Sequence, residues 1–348
     1  MSKTYRILAE GWFVFCALNV SVAQEVKMLP QQNLARWNVP PGNYSGITPL
    51  GDGRYAVVDD KEPREGFFVF RIEQDEQTGQ VTGVWNEGFR GQTSSLSGGR
   101  DAEGVAFVPD DGLVWVSGEA DQRMTAYRTD GVAAGRELAV PDGMGRASVQ
   151  PNYGFEALCY DVSAGLFWTV TENALKADLR AWGDTACLRL QSFDVAGQPQ
   201  AQYAYPLDLP QAGTGQRQYA HGVVALWAPG NGRLWVLERE MTVPKRRLKS
   251  RSFQKLYEVE PRSENILSPD VTVESVGGRW LKKRLLASFS TRMRLIRPPL
   301  ADYEGMCEGC RLADGRRTLL LISDSQGGYG NRMCHLRDWI SVLVLPKQ

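Results

Sequence analysis

The chain has 348 residues, enough for a sizeable core, with 40 Lys+Arg against 40 Asp+Glu and so a formal net charge of zero. That balance gives no basic excess for nucleic acid and no acidic tail. Thirty-six glycines, 18 prolines and 10 tryptophans suit a turn-rich β protein better than a helical bundle.

The N-terminus reads as an export signal over residues 1–23, leaving a single domain from 24 to 348. Lys3 and Arg6 give a positive start, residues 11–23 a short apolar run, and Ser21-Val22-Ala23 a small-residue cleavage site. The run is too short for a comfortable membrane span, so the expected location is periplasmic or secreted. Five cysteines remain after cleavage (Cys159, Cys187, Cys307, Cys310, Cys334), an odd number that leaves at least one outside any internal disulfide. Cys307-x-x-Cys310 has no second CxxC beside it, and Cys307 reads as a strand-interior core residue.

Five stretches then repeat along the chain: NYSGITPLGDGRYAVVDD (43–60), DAEGVAFVPDDGLVWVSGE (101–119), GFEALCYDVSAGLFWTVTE (154–172), YAHGVVALWAPGNGRLWVLERE (219–240) and DYEGMCEGCRLADGRRTLLLISD (302–324). Each has a polar head, an apolar strand, a Gly/Asp/Asn turn of hairpin type, a second apolar strand and an acid. The second strands are apolar without alternation, as in strands buried on both faces. Further strands lie between the units, and no long helical pattern occurs.

Heads at Ser45, Glu103, Glu156, His221 and Glu304 are 58, 53, 65 and 83 residues apart. A period of this size with three or four strands per unit is a propeller blade. The fold expected is an all-β propeller of six blades, or of five if the 83-residue gap is one blade with a long insertion. The last unit is a strand short, and residues 26–37 are placed to complete it and close the ring. The run KRRLKSRSFQK (245–255) in the long gap has six basic residues and no acid. Such a run can bind phosphate or an anionic surface, but a solvated loop or insertion is the commoner outcome for a single charge run.

In a propeller, equivalent heads converge on one axis. Glu103, Glu156 and Glu304 would meet at the channel mouth, Ser45 and His221 would fill the other places, and the second-strand acids Asp59 or Asp60, Glu119, Glu172, Glu238 and Asp324 would form an outer ring. Two carboxylates ~6 Å apart repel by roughly 3 kcal/mol at an effective dielectric of ~20, so the set holds protons or gathers cations, unless each acid is bonded to a neighbouring blade's backbone amides or to an arginine. Clustered oxygen ligands suit calcium. Lys61, Lys176 and Arg239, each close behind a second-strand acid, are candidates to hold phosphate.

The segments 43–61, 153–175, 234–240 and 302–328 resemble the phytase-like ("esterase-like activity of phytase") family of exported proteins. The resemblance implies a β-propeller and a phosphoester or ester hydrolase acting on a small molecule. Combined with the acids, it gives a calcium-dependent site with Glu156, Glu304 and His221 as catalytic candidates. The other reading is a non-catalytic propeller that binds a ligand or partner at the same face.

Overall fold

The computed structural model describes residues 26–179, 186–213, 215–268, 276–294, 299–328, 330–331 and 334–347. The expected export signal lies outside them. Five four- or five-stranded antiparallel sheets follow one another around a ring. Blade I comprises Tyr44–Gly51, Arg54–Asp59, Arg64–Gln74 and Val81–Thr93. Blade II comprises Ala102–Val108, Leu113–Gly118, Arg123–Arg128 and Ala133–Glu137. Blade III comprises Phe155–Asp161, Leu166–Thr171, Cys187–Asp194 and Pro199–Pro206. Blade IV comprises Gln218–Trp227, Leu234–Val243, Arg251–Val259 and Arg284–Arg292. Blade V comprises Asp302–Arg311, Arg317–Asp324 and Trp339–Val344, completed by Lys27–Met28 and Gln32–Asn33.

The blade count is therefore five rather than the favoured six. The 83-residue gap is the second alternative, one blade with a long insertion. Between its third and fourth strands, blade IV sends out Ile266–Leu267, which pairs with the edge of blade III at Tyr203 and Gln202. Leu267 and Val276 pack there on Cys187 and Ala204. The basic run also differs from a plain loop. After a 3-10 turn at Arg247–Lys249 it enters the third strand of blade IV at Arg251.

Strands apolar on both faces make sense in this arrangement, because each blade packs against two neighbours. One apolar cluster joins blades V and I through Leu320, Ile322 and Ile340 against Ile47, Val57 and Phe70. Another joins I and II through Val58 and Val69 against Val114 and Val116. The remaining three blade pairs are joined in the same way. Each fully buried aliphatic or aromatic side chain contributes roughly 1.5–3 kcal/mol. Turn chemistry agrees with the sequence. Asp52 and Gly53, both at positive φ (51° and 72°), form the two-residue hairpin between the first strands of blade I.

Ring closure uses the N-terminal segment. Lys27 pairs with Val344, Met28 with Leu343, Gln32 with Ile340 and Asn33 with Trp339. Ser341 Oγ donates to the Leu29 carbonyl at 2.9 Å, and Tyr303 Oη donates to Gln31 Oε1 at 3.0 Å. Leu29 and Leu34 are buried in the V–I core. Deleting residues 26–37 should lower stability by roughly 3–6 kcal/mol from these two leucines alone. It also bares an edge strand. Urea unfolding checks this, and an unchanged midpoint would contradict ring closure.

Candidate functional site

The site is set by a one-residue slip that recurs in every blade. Between first and second strands the register runs Tyr44↔Asp59 then Gly46↔Val58, and Phe155↔Thr171 then Ala157↔Val170. It runs Val223↔Glu238 then Ala225↔Leu237, and Tyr303↔Ser323 then Gly305↔Ile322. Blade II slips between Ala102↔Gly118 and Val105↔Val116. A bulge of this kind re-aims the extra residue. The extra residues are Ser45, Glu103, Glu156, Val224 and Glu304. All but Val224 are polar, and all five line one void of about 10 Å³ on the ring axis. That is room for about one water.

The fifth place therefore belongs to Val224, not His221. The His-Gly of YAHGVVAL imitates the Glu-Gly of blades II and V but sits three residues too early. His221 instead shares a separate small void with Asp208, Glu238 and Glu240. Burial pulls its pKa down to about 4, so the imidazole is neutral at pH 7. His335 is also away from the axis and accepts from Arg337 Nε at 3.3 Å.

The glycines after the heads are explained by close backbone approach. A Cβ on Gly104 would lie 2.5 Å from Leu158 N, and one on Gly46 would lie 2.4 Å from the Glu103 carbonyl. Neighbouring inner strands touch there, which is how the glutamates come so near one another.

A second ring lies one step beyond the slip. The amides of Asp60, Glu119 and Glu172 donate to the carbonyls of Asn43, Asp101 and Gly154 at 3.1, 2.8 and 2.9 Å. The matching pairs in blades IV and V are Gly222↔Arg239 and Asp302↔Asp324. The ring is thus Asp60, Glu119, Glu172, Arg239 and Asp324. Glu238 does not belong to it. That carboxylate turns to the blade III–IV boundary, where Tyr205 Oη and Lys283 Nζ each donate at 2.6 Å.

Arg239 is 6% exposed and holds three carboxylates: Glu172 at 2.8 Å, Asp302 at 2.7 Å and Glu304 at 3.2 Å. On the other side of the mouth Lys61 bridges Asp60 at 2.5 Å and Asp101 at 2.7 Å. Lys176 is elsewhere, exposed and bonded to the Ala147 carbonyl at 2.9 Å, so two of the three basic candidates reach the acids. Asp101 and Asp302 were not among the residues expected at the site. Their signal was present: both stand two residues before a head, in DAEG and DYEG.

Nine carboxyl groups (Asp60, Asp101, Glu103, Glu119, Glu156, Glu172, Asp302, Glu304, Asp324) thus share the mouth with two cations, Arg239 and Lys61. Glu103 and Glu156 are 7% and 6% exposed, and their side chains make no hydrogen bond to a described residue. One oxygen of Asp60 is buried without a partner. Asp60, Asp101 and Glu103 bring carboxylate oxygens within 4.8 Å of one another. Burial, then neighbouring acids, push Glu103, Glu156, Glu304 and Asp324 well above the usual carboxylate range. Burial raises Glu172 to about 7 against the opposing pull of Arg239, and raises Asp60 to about 6 against Lys61.

The family model described as phytase-like, esterase-like activity of phytase, matches residues 39–326. No individual curated protein matches significantly. An endo-arabinase from Bacteroides thetaiotaomicron is similar in structure with TM-score 0.45 and 10% identity, over 91% of this chain and 96% of that one. The catalytic domain of an α-L-arabinofuranosidase from Coprinopsis cinerea is similar with TM-score 0.42 and 11% identity, over 92% and 97%. A luciferin-regenerating enzyme is similar with TM-score 0.42 and 12% identity, over 92% and 95%.

Carboxyls raised on folding bind protons more tightly folded than unfolded. Their stabilisation is full below the unfolded values of 3.8 to 4.5 and is lost as pH rises through the folded ones, about 6 for Asp60 and about 7 for Glu172. His221 works oppositely, but only between about 4 and its ordinary 6.5. In chelator, stability should therefore fall as pH rises from about 4.5 through about 7, with His221 offsetting only part of that loss below about 6.5. Arg239→Met should cost roughly 3–5 kcal/mol near pH 8 and less near pH 5, where the acids hold protons. Urea melts across pH check both, and a pH-independent cost would contradict the charge account.

Proposed function

The chain belongs to the phytase-like family, and we propose that it is a calcium-dependent hydrolase of phosphoesters or related esters, working at the acidic mouth of the propeller. One observation carries the reading. Buried carboxyl groups outnumber the cations beside them, and Glu103, Glu156 and one oxygen of Asp60 have no partner among the described residues. A structural ring of acids would have its oxygens bonded to amides, as Glu240 has with Gln211 and Ala212.

The donor set is all oxygen, which fits a hard cation such as calcium. Asp60, Asp101 and Glu103 would hold the ion, with Glu119, Glu156, Glu304 and Asp324 completing the negative surroundings. Bound there, calcium supplies polarisation of a phosphoryl or carbonyl oxygen and a more acidic bound water. Lys61 would hold the anionic group of the substrate. Glu156, protonated in its buried place, would deliver a proton to the leaving oxygen. Glu304 is tied to Arg239 and would act with Glu156 by fixing its surroundings. His221, away from the axis, takes no part in this scheme.

The same proposal includes export, resting on the charged start and apolar run of residues 1–23. No helix among the described residues is long and apolar enough to cross a membrane.

Calorimetric titration of calcium into wild type, Glu103→Gln and Glu304→Gln tests the site. Wild type should bind, and Glu103→Gln should bind at least roughly tenfold more weakly while keeping its fold, because one direct oxygen charge is removed. Metal-free Glu103→Gln should be no less stable than wild type, since the change relieves repulsion. A panel of phosphoesters and carboxylic esters, with and without chelator, should give chelator-sensitive turnover. No calcium binding by wild type, or equal affinity in all three proteins, overturns the assignment. Binding without turnover of any ester would favour the ligand-binding propeller instead.

A further inference from the structure

A cavity of about 380 Å³ opens beside the acidic mouth and takes no part in the calcium scheme. Its wall joins two chemistries. Arg239 and Asp302, themselves an ion pair, form the side toward the acids. Met241, Met293, Leu300 and Leu336 form another side, and these four make a separate buried apolar cluster away from the interblade cores. The volume lies in the range of small-molecule sites. Methionines suit an aromatic or irregular apolar group, because the thioether is flexible and polarisable.

The rim is basic. Arg247 lines the cavity, and Lys245 and Arg251 flank it in sequence. Arg251 pairs directly with Arg292 across two strands, a like-charge opposition that costs stability. Arg217 joins the group, its amide bonded to the Val243 carbonyl at 2.9 Å. Arg217, Lys245, Arg251 and Arg292 are exposed, and none forms an ion pair with a described residue. In a chain of zero formal charge, the acids gather on the axis and these bases gather at the end of blade IV, beside Val243 and Arg247 of the cavity wall. Such a patch draws anions toward the cleft it borders.

We propose that this cavity binds the body of a small amphipathic anion. An aryl or short alkyl group would sit among Met241, Met293, Leu300 and Leu336, and a single anionic head would lie toward the basic rim of Arg217, Lys245 and Arg251. A polyanion fits poorly. Arg239 is already shared among three carboxylates, and Asp302 on the same wall would repel further negative charge. Binding at this cavity is independent of the hydrolase reading, and only turnover of the bound molecule rests on it. If both hold, the substrate class is the monoester of an apolar alcohol or phenol.

The test is calorimetric titration of the full chain, in chelator so that no turnover occurs, with phenyl phosphate, inorganic phosphate and inositol hexakisphosphate. Phenyl phosphate should bind roughly tenfold tighter than inorganic phosphate, from burial of the ring. Met241→Trp and Leu336→Trp, which fill the cavity, should each remove that preference and leave inorganic phosphate affinity unchanged. Equal or tighter binding of either inorganic phosphate or inositol hexakisphosphate by wild type would overturn the proposal, whether or not a variant folds. A preference unchanged in a folded variant would do the same. Calcium titration without any phosphate separates the two readings. Phenyl phosphate preference without calcium binding keeps the pocket and removes the hydrolase. Calcium-dependent turnover without that preference keeps the hydrolase and removes the pocket.

Discussion

One buried guanidinium organises the mouth of this propeller. Arg239 stands where the other four blades place an acid, and it joins blade III through Glu172 to blade V through Asp302 and Glu304. Without it, those carboxylates would face one another in a site with almost no water, where unpaired charge is costly to keep. With it, the acids of one half of the mouth are tied to a buried partner and fixed, although one positive charge there faces three carboxyl groups. The other half, around Asp60, Asp101 and Glu103, has Lys61 alone, largely exposed at the edge. This asymmetry makes the second half the place for an added cation.

The scaffold delivers that arrangement by ordinary packing. Five apolar interblade cores hold the ring, and a bulge at the same point of each inner strand turns one side chain toward the axis. Glycine at 46 and 104 lets adjacent strands approach until backbone nearly meets backbone. Crowding of the acids is therefore a consequence of the strand geometry. Their identity, Glu in three blades and Ser or Val in two, is what gives the axis its chemistry.

Much of this was legible in the sequence, because a repeat carries its own register. The recurring polar head, turn and apolar second strand identified the blades and the glutamates of blades II, III and V. The closing strand was legible from the shortage in the last unit. Blade IV was misread because His221-Gly222 copies the Glu-Gly pattern of its neighbours, and Glu238-Arg239-Glu240 offers two acids around the residue that occupies the ring. Only the position of the bulge separates these alternatives, and a bulge is a hydrogen-bonding event that residue types do not encode locally. The blade count depended on whether the long gap folds alone. It does not, because Ile266–Leu267 crosses to the edge of blade III. The signal of Asp101 and Asp302, an acid two residues before the head, recurs in only two of the five units and so is weaker than the heads themselves.

The chemistry of the axis turns on whether the half of the mouth that has only the exposed Lys61 gathers a divalent cation or only holds protons. Anomalous diffraction from crystals of the wild-type protein soaked in terbium, a calcium surrogate, distinguishes the two. With a cation site, one strong peak is expected at roughly 2.3–2.6 Å from oxygens of Asp60, Asp101 and Glu103, with Arg239 still on Glu172 and Asp302. Well-ordered acids with no peak on the axis, at neutral pH, would contradict it and leave a ring of shared protons as the state of the site.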